Sequence, residues 1–121
     1  MPVQIKRVYK EAEEADGMRI LVDRIWPRGV SKEEAKLDEW VKEVGPSKEL
    51  RQWFDHDAAK YDAFKKKYKK ELKENEEQKE ALKKLKKWTK KHHKNITLIF
   101  SAKDEKYNQA AVLKEILDHQ Q

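Results

Sequence analysis

The chain contains no cysteine, which excludes disulfides, thiolate nucleophiles and cysteine-ligated metals together. It also lacks a glycine-rich phosphate loop, a serine nucleophile elbow and a zinc-ligand set. No apolar run approaches the roughly 20 residues needed to cross a bilayer. The opening residues, Met1-Pro2-Val3-Gln4-Ile5-Lys6, lack the apolar core of a secretion signal. These absences lead us to expect a cytoplasmic protein with no membrane partner. They specify no metal and no cofactor.

What is present is charge. Charged residues make up 43% of the 121 positions and hydrophobic residues 37%, against roughly 25% charged in an average globular chain. Four Trp, four Tyr and three Phe are nevertheless spread along the chain. The apolar residues keep clear periodicities, so the sequence reads as folded rather than disordered. The length suits one domain over residues 1–121. The net charge of +6 is local: fourteen Lys against five Glu between Lys65 and Lys94 give +9, leaving −3 elsewhere.

Val3 to Tyr9 alternates only in part but is rich in β-branched residues, which predicts a strand. Asp16-Gly17 is a turn dipeptide. Met18 to Ile25 is a second strand, its consecutive Ile20-Leu21-Val22 implying cover on both faces. Pro27 ends it, and Gly29 gives freedom for a tight loop. Ser31 and Glu34 have capping-box spacing at the start of a short helix. Leu37, Val41 and Val44 have helical spacing, whereas Trp40-Val41 suits a buried strand. Ser47 can cap a helix reaching about Phe54. Asp57 can cap another, in which Tyr61, Phe64, Tyr68 and Leu72 form one apolar stripe. Asn75 and Gln78 have the spacing of a second capping box, followed by Ala81, Leu82, Leu85 and Trp88. Ile96 to Phe100 is a short strand. A final helix is expected from about Lys106 to His119, with Ala110, Leu113, Ile116 and Leu117 inward. The fold class is therefore α/β: a small, mainly parallel sheet of three to four strands flanked by helices, with a lysine-rich helical hairpin.

Ligands of parallel sheets bind beyond the carboxyl ends of the strands. Two loops belong there. Asp23 to Gly29 holds a carboxylate, two guanidinium groups and an indole: Arg24 and Arg28 could fork around an oxyanion, Trp26 could stack, and Asp23 could accept or abstract a proton. The same residues could instead form an internal ion pair and a core edge, the weaker of the two readings. Ser101-Ala102-Lys103-Asp104 precedes a helix N-terminus, which favours anions. Asp55-His56-Asp57 could be an acid-oriented base, although a helix-capping loop explains it better. His92 and His93, adjacent on a helix, point about 100° apart and are poorly placed to share a metal.

Several motifs resemble those of the YeaO-like family of small bacterial proteins. They are Arg19 through Gly29, Leu37-Asp38-Glu39-Trp40, Pro46-Ser47, Glu49-Leu50-Arg51 with Trp53-Phe54, and Ser101-Ala102-Lys103-Asp104 with Asn108. The match spans nearly the whole chain and implies a compact α/β fold, but it carries no activity across. It also implies that 37–44 is extended. One departure stands out: where the family usually reads Asn-His-Ala, this chain reads Asn108-Gln109-Ala110. An amide cannot titrate, so any acid–base role of that histidine is lost here.

The sequence thus points first to a site for a small anionic or nucleotide-like ligand. Asp23, Arg24, Trp26 and Arg28 would face Ser101, Lys103, Asp104 and Asn108, with Asp23 the candidate proton acceptor. The alternative is a nucleic-acid or protein interaction module working through the Lys65 to Lys94 hairpin.

Overall fold

The computed structural model describes residues 3–91 and 95–119. Four strands, β1 (Gln4–Arg7), β2 (Met18–Leu21), β3 (Glu39–Trp40) and β4 (Ile96–Phe100), form one sheet in the order β1-β4-β2-β3. Every pairing is parallel. The last strand in sequence therefore sits in the middle of the sheet, between the first two. All five of its residues are buried, as expected for a strand covered on both faces.

The alternation of side chains along β2 and β4 divides the core between those faces. Ile20, Val22, Ile96, Leu98 and Phe100 join the larger cluster, and Leu21 and Ile99 join a smaller one with Val8 and Ala35. The larger cluster holds the stripe expected from the sequence, Tyr61, Phe64, Tyr68 and Leu72, on α3 (Tyr61–Glu74). Ala81, Leu82 and Leu85 join it from α4 (Glu76–Lys91), and Ala110, Leu113 and Leu117 from α5 (Gln109–Asp118). The smaller face is covered by α1 (Lys32–Ala35), with Trp26, Val30 and Leu37 packed around it. No helix among the described residues is long and apolar enough to cross a membrane.

Local chemistry sets the helix ends. The Ser31 side chain accepts from Glu34 N, and the Glu34 carboxylate accepts from Ser31 N, completing the capping box at 3.0 Å in each direction. Ser47 caps α2 (Lys48–Phe54) through Leu50 N at 3.1 Å. The second box closes on one side only. Asn75 accepts from Gln78 N, but the Gln78 side chain is buried and donates instead to Gly45 O and to Glu71. Several boundaries also move: the strand expected over Val3 to Tyr9 covers only Gln4–Arg7, and the one expected over Met18 to Ile25 ends at Leu21, four residues before, where the chain turns into the loop ahead of Pro27. Residues 37–44 give a two-residue strand and then a 3-10 turn, Lys42–Val44, so the extended reading holds only for its centre. The final helix begins at Gln109 rather than Lys106, because Asp104 Oδ1 accepts from the backbone N–H of Lys106 and Tyr107 and holds that stretch in a turn. His92 and His93 lie outside the described residues.

Two glycines meet close approaches. A Cβ on Gly17 would lie 2.0 Å from Asn95 O, at φ +65°. One on Gly45 would lie 2.8 Å from Arg24 Cγ.

Candidate functional site

The chain leaves the sheet after β2, where Val22 N still donates to Ile99 O at 3.0 Å. It then forms a loop whose backbone is pinned by two indoles. Trp40 Nε1 donates to Asp23 O at 2.7 Å, and Trp26 Nε1 donates to Val30 O at 2.6 Å. The two indoles meet edge to face, 5.3 Å apart. The loop after β4 is pinned by β1: Arg7 Nε donates to Ala102 O at 2.8 Å and its Nη2 to Ser101 O at 3.2 Å. Between these loops and α2 opens a cleft of about 590 Å³. It lies beyond the carboxyl ends of β1, β2 and β4, where open parallel sheets place their ligands.

Asp23 lies at its floor, 8% exposed. Its Oδ2 accepts from Ser101 N at 2.9 Å and from Ser101 Oγ at 2.7 Å, and its Oδ1 accepts from Gln109 Nε2. Burial pushes its carboxyl above the usual carboxylate range; the bonds from Ser101 and Gln109 and the nearby Arg51 charge pull it back only in part. The pairing of Ser101 with Asp23 could suggest an activated hydroxyl, but no imidazole completes it. The third partner is the Gln109 amide, which neither gives nor takes a proton at ordinary pH.

The two arginines expected in the loop do different things. Arg24 lines the cleft but its guanidinium is engaged: its Nε donates to Gly45 O and Pro46 O, each at 2.9 Å, tying the loop to the segment before α2. Arg28 is exposed at the cleft rim, its side chain forming no ion pair among the described residues. Trp26, Ser101 and Asn108 also line the cleft, but Asn108 is occupied. It caps α5 through Ala111 N and donates to Asp104 O. Lys103 and Asp104 do not line it. Asp104 is spent on the turn, where its bonds from Tyr107 N and Lys106 N hold its carboxyl below the usual range.

The structure adds residues that the loop motifs did not indicate. Arg51, Phe54 and His56 come from α2 and its end, Tyr9 from the end of β1, and Tyr107 and Gln109 from the start of α5. Arg51 and Phe54 stand three apart on a helix, hence on one face, and that spacing was the available signal. Arg51 Nε is buried with no hydrogen-bond partner. His56 takes a left-handed backbone, φ 56°, and bonds to neither Asp55 nor Asp57 among the described residues. Asp57 instead caps the following turn through Ala59 N at 2.9 Å.

The fold and this cleft together define an α/β protein with an open, arginine-bearing pocket at the strand ends. The chain belongs to the family described as the Inactive DUF488-N3 subclade, whose model matches residues 2–121. It is 44% identical to the uncharacterized protein YeaO of Escherichia coli over 117 residues, 97% of each chain. It is 46% identical over 70 residues to uncharacterized proteins of Mycobacterium bovis and Mycobacterium tuberculosis, covering 58% of this chain and 59% of each of those. No solved structure matches it.

Proposed function

We propose that the cleft binds a small anionic ligand of nucleotide size, held at the rim by Arg28, without turning it over. The observation that carries this reading is Arg28, exposed on the lining of a cavity of about 590 Å³ with no ion pair to it among the described residues. The arginines that serve the fold are tied down here, Arg7 and Arg24 by carbonyl oxygens and Arg19 by Asp16 at 2.6 Å. The aromatic walls from Trp26, Phe54 and Tyr107 suit a ligand with a flat portion. Binding without chemistry is supported by the word "inactive" in the family's description and by the neutral Gln109 amide on Asp23.

The hairpin of α3 and α4 has less to recommend it. Lys65 and Lys69 are held by Glu115 at 3.1 and 3.3 Å, and Lys84 lies over the Trp88 ring.

A thermal-shift series decides between the two surfaces. It uses nucleoside monophosphates, sugar phosphates, inorganic phosphate and short DNA and RNA. The proteins are wild type, Arg28→Ala, and a variant with Lys66, Lys73, Lys87 and Lys90 changed to Gln. A ligand at about 100 times its dissociation constant stabilises by roughly 2.7 kcal/mol. The cleft reading expects a small-molecule shift that is lost in Arg28→Ala and kept in the lysine variant. A shift with nucleic acid alone, kept in Arg28→Ala and lost in the lysine variant, overturns it.

A further inference from the structure

Asp23 and Arg51 both line the cleft and sense each other's charge, yet they form no ion pair. Asp23 is fixed by Ser101 and Gln109, and Arg51 rides on α2 beside Phe54. Arg51 Nε is buried without an acceptor, a costly state that folded proteins rarely leave, while other atoms of Arg51 line the cleft. A carboxylate and a guanidinium that share a cavity without touching leave space for a group that satisfies both.

What that group can be follows from charge. An oxyanion pressed against Arg51 would stand beside the buried carboxylate of Asp23, and like charges in a poorly solvated site repel strongly. The floor therefore suits a neutral group offering a donor to Asp23 and an acceptor to Arg51. The anion then belongs at the rim with Arg28. Asp23 keeps one acceptor site free, since a carboxylate has about four and three are used here. A flat heterocycle whose edge carries an N–H next to a carbonyl oxygen meets both demands, and Phe54, Tyr107 and Trp26 supply walls for its ring.

We propose that the cleft floor selects the N–H/C=O edge of an oxopurine or oxopyrimidine, Asp23 accepting from the ring N–H and Arg51 donating to the carbonyl. This deepens the reading of the cleft as an anion site and rests on it, while adding a preference that an anion site alone does not have.

The test is calorimetric titration of the full chain with three ligands of equal phosphate charge. Inosine 5′-monophosphate carries the N–H/C=O edge. Purine riboside 5′-monophosphate lacks both groups. Ribose 5-phosphate lacks the ring. The expected result is that the inosine nucleotide binds at least about tenfold more tightly than the purine riboside nucleotide, because a site built to hydrogen-bond a group rejects the analogue lacking it. That preference should collapse in Asp23→Asn and in Arg51→Gln, with circular dichroism confirming the fold. The Arg51→Gln variant keeps the experiment decisive should Asp23→Asn misfold. Equal affinity for the two nucleotides, with both lost in Arg28→Ala, overturns the selection and leaves the anion site standing. Failure of all three ligands to bind overturns both.

Discussion

The side-chain amide of Gln109, at the first turn of α5, donates to the carboxylate of Asp23, in the loop after β2. Two loops that are far apart in sequence are joined at the floor of the cleft by this contact and by the Ser101 bonds beside it.

Replacing Gln109 with Glu sets a second carboxylate against Asp23. Two such groups resist ionising together, and Asp23 loses a donor it now uses. The expected cost at neutral pH is about 1–3 kcal/mol. The deficit should shrink as the medium is acidified, because one shared proton relieves the repulsion. Urea unfolding at neutral and acid pH checks this, and a pH-independent deficit would contradict it.

Asp23 binds its proton more tightly in the fold than in the unfolded chain, since burial raises its affinity for it. Its contribution to stability is therefore complete below the ordinary value of 3.8 and is lost as pH rises through the raised folded value. Wild type should lose stability relative to Asp23→Asn over that window, with a constant difference above it. Taking the difference cancels the carboxylates whose affinities are lowered, such as Glu115 and Asp118. Parallel stability curves for the two proteins would sink the assignment.

Arg19 is buried with Asp16, which also accepts from Lys6 at 3.0 Å. Asp16→Asn leaves the guanidinium without its counter-charge and should cost about 3–5 kcal/mol. Lys10→Gln breaks an ion pair to Glu105 in which both side chains are more than half exposed, and should cost under about 1 kcal/mol. Denaturant midpoints of the two variants give the comparison directly. Similar losses would contradict the distinction between buried and exposed pairs.

Gly17→Ala should destabilise by more than about 1 kcal/mol, because the added carbon meets Asn95 O at 2.0 Å and the backbone is left-handed. Gly29→Ala, also at positive φ but with open space around it, carries the backbone cost alone and should lose less. Thermal unfolding of the pair orders them, and the reverse order would show the contact to be relieved.

Much of the fold could be read from residue patterns, and the site less so. Ile20-Leu21-Val22 announced a strand covered on both sides, Ile96 to Phe100 a short strand, and the stripe from Tyr61 to Leu72 its helix. What patterns could not supply was the order of the strands, since nothing local states that β4 lies between β1 and β2. That insertion brings Ser101 to Asp23, so the two loops expected to carry chemistry are indeed neighbours. Individual roles were harder to read. Arg24 and Arg28 look alike in sequence, but only the first finds carbonyl oxygens nearby, from Gly45 and Pro46. Asp104 and Asn108 look alike as site residues, but Asp104 lies off the cleft and serves a turn, while Asn108 lines the cleft and also caps α5. Arg51 looks like any charged residue on a short helix, and its unpaired Nε is visible only once α2 is seated against the sheet.

One carbonyl has a further consequence. Gly45 O accepts both from Arg24 of the cleft loop and from Gln78 of α4, while Tyr68 of α3 donates to the adjacent Val44 O. Loop and hairpin thus cannot loosen independently around that junction. Their amide protons should exchange with solvent in a single concerted opening, and a ligand that tightens the cleft should slow exchange along α4 as well.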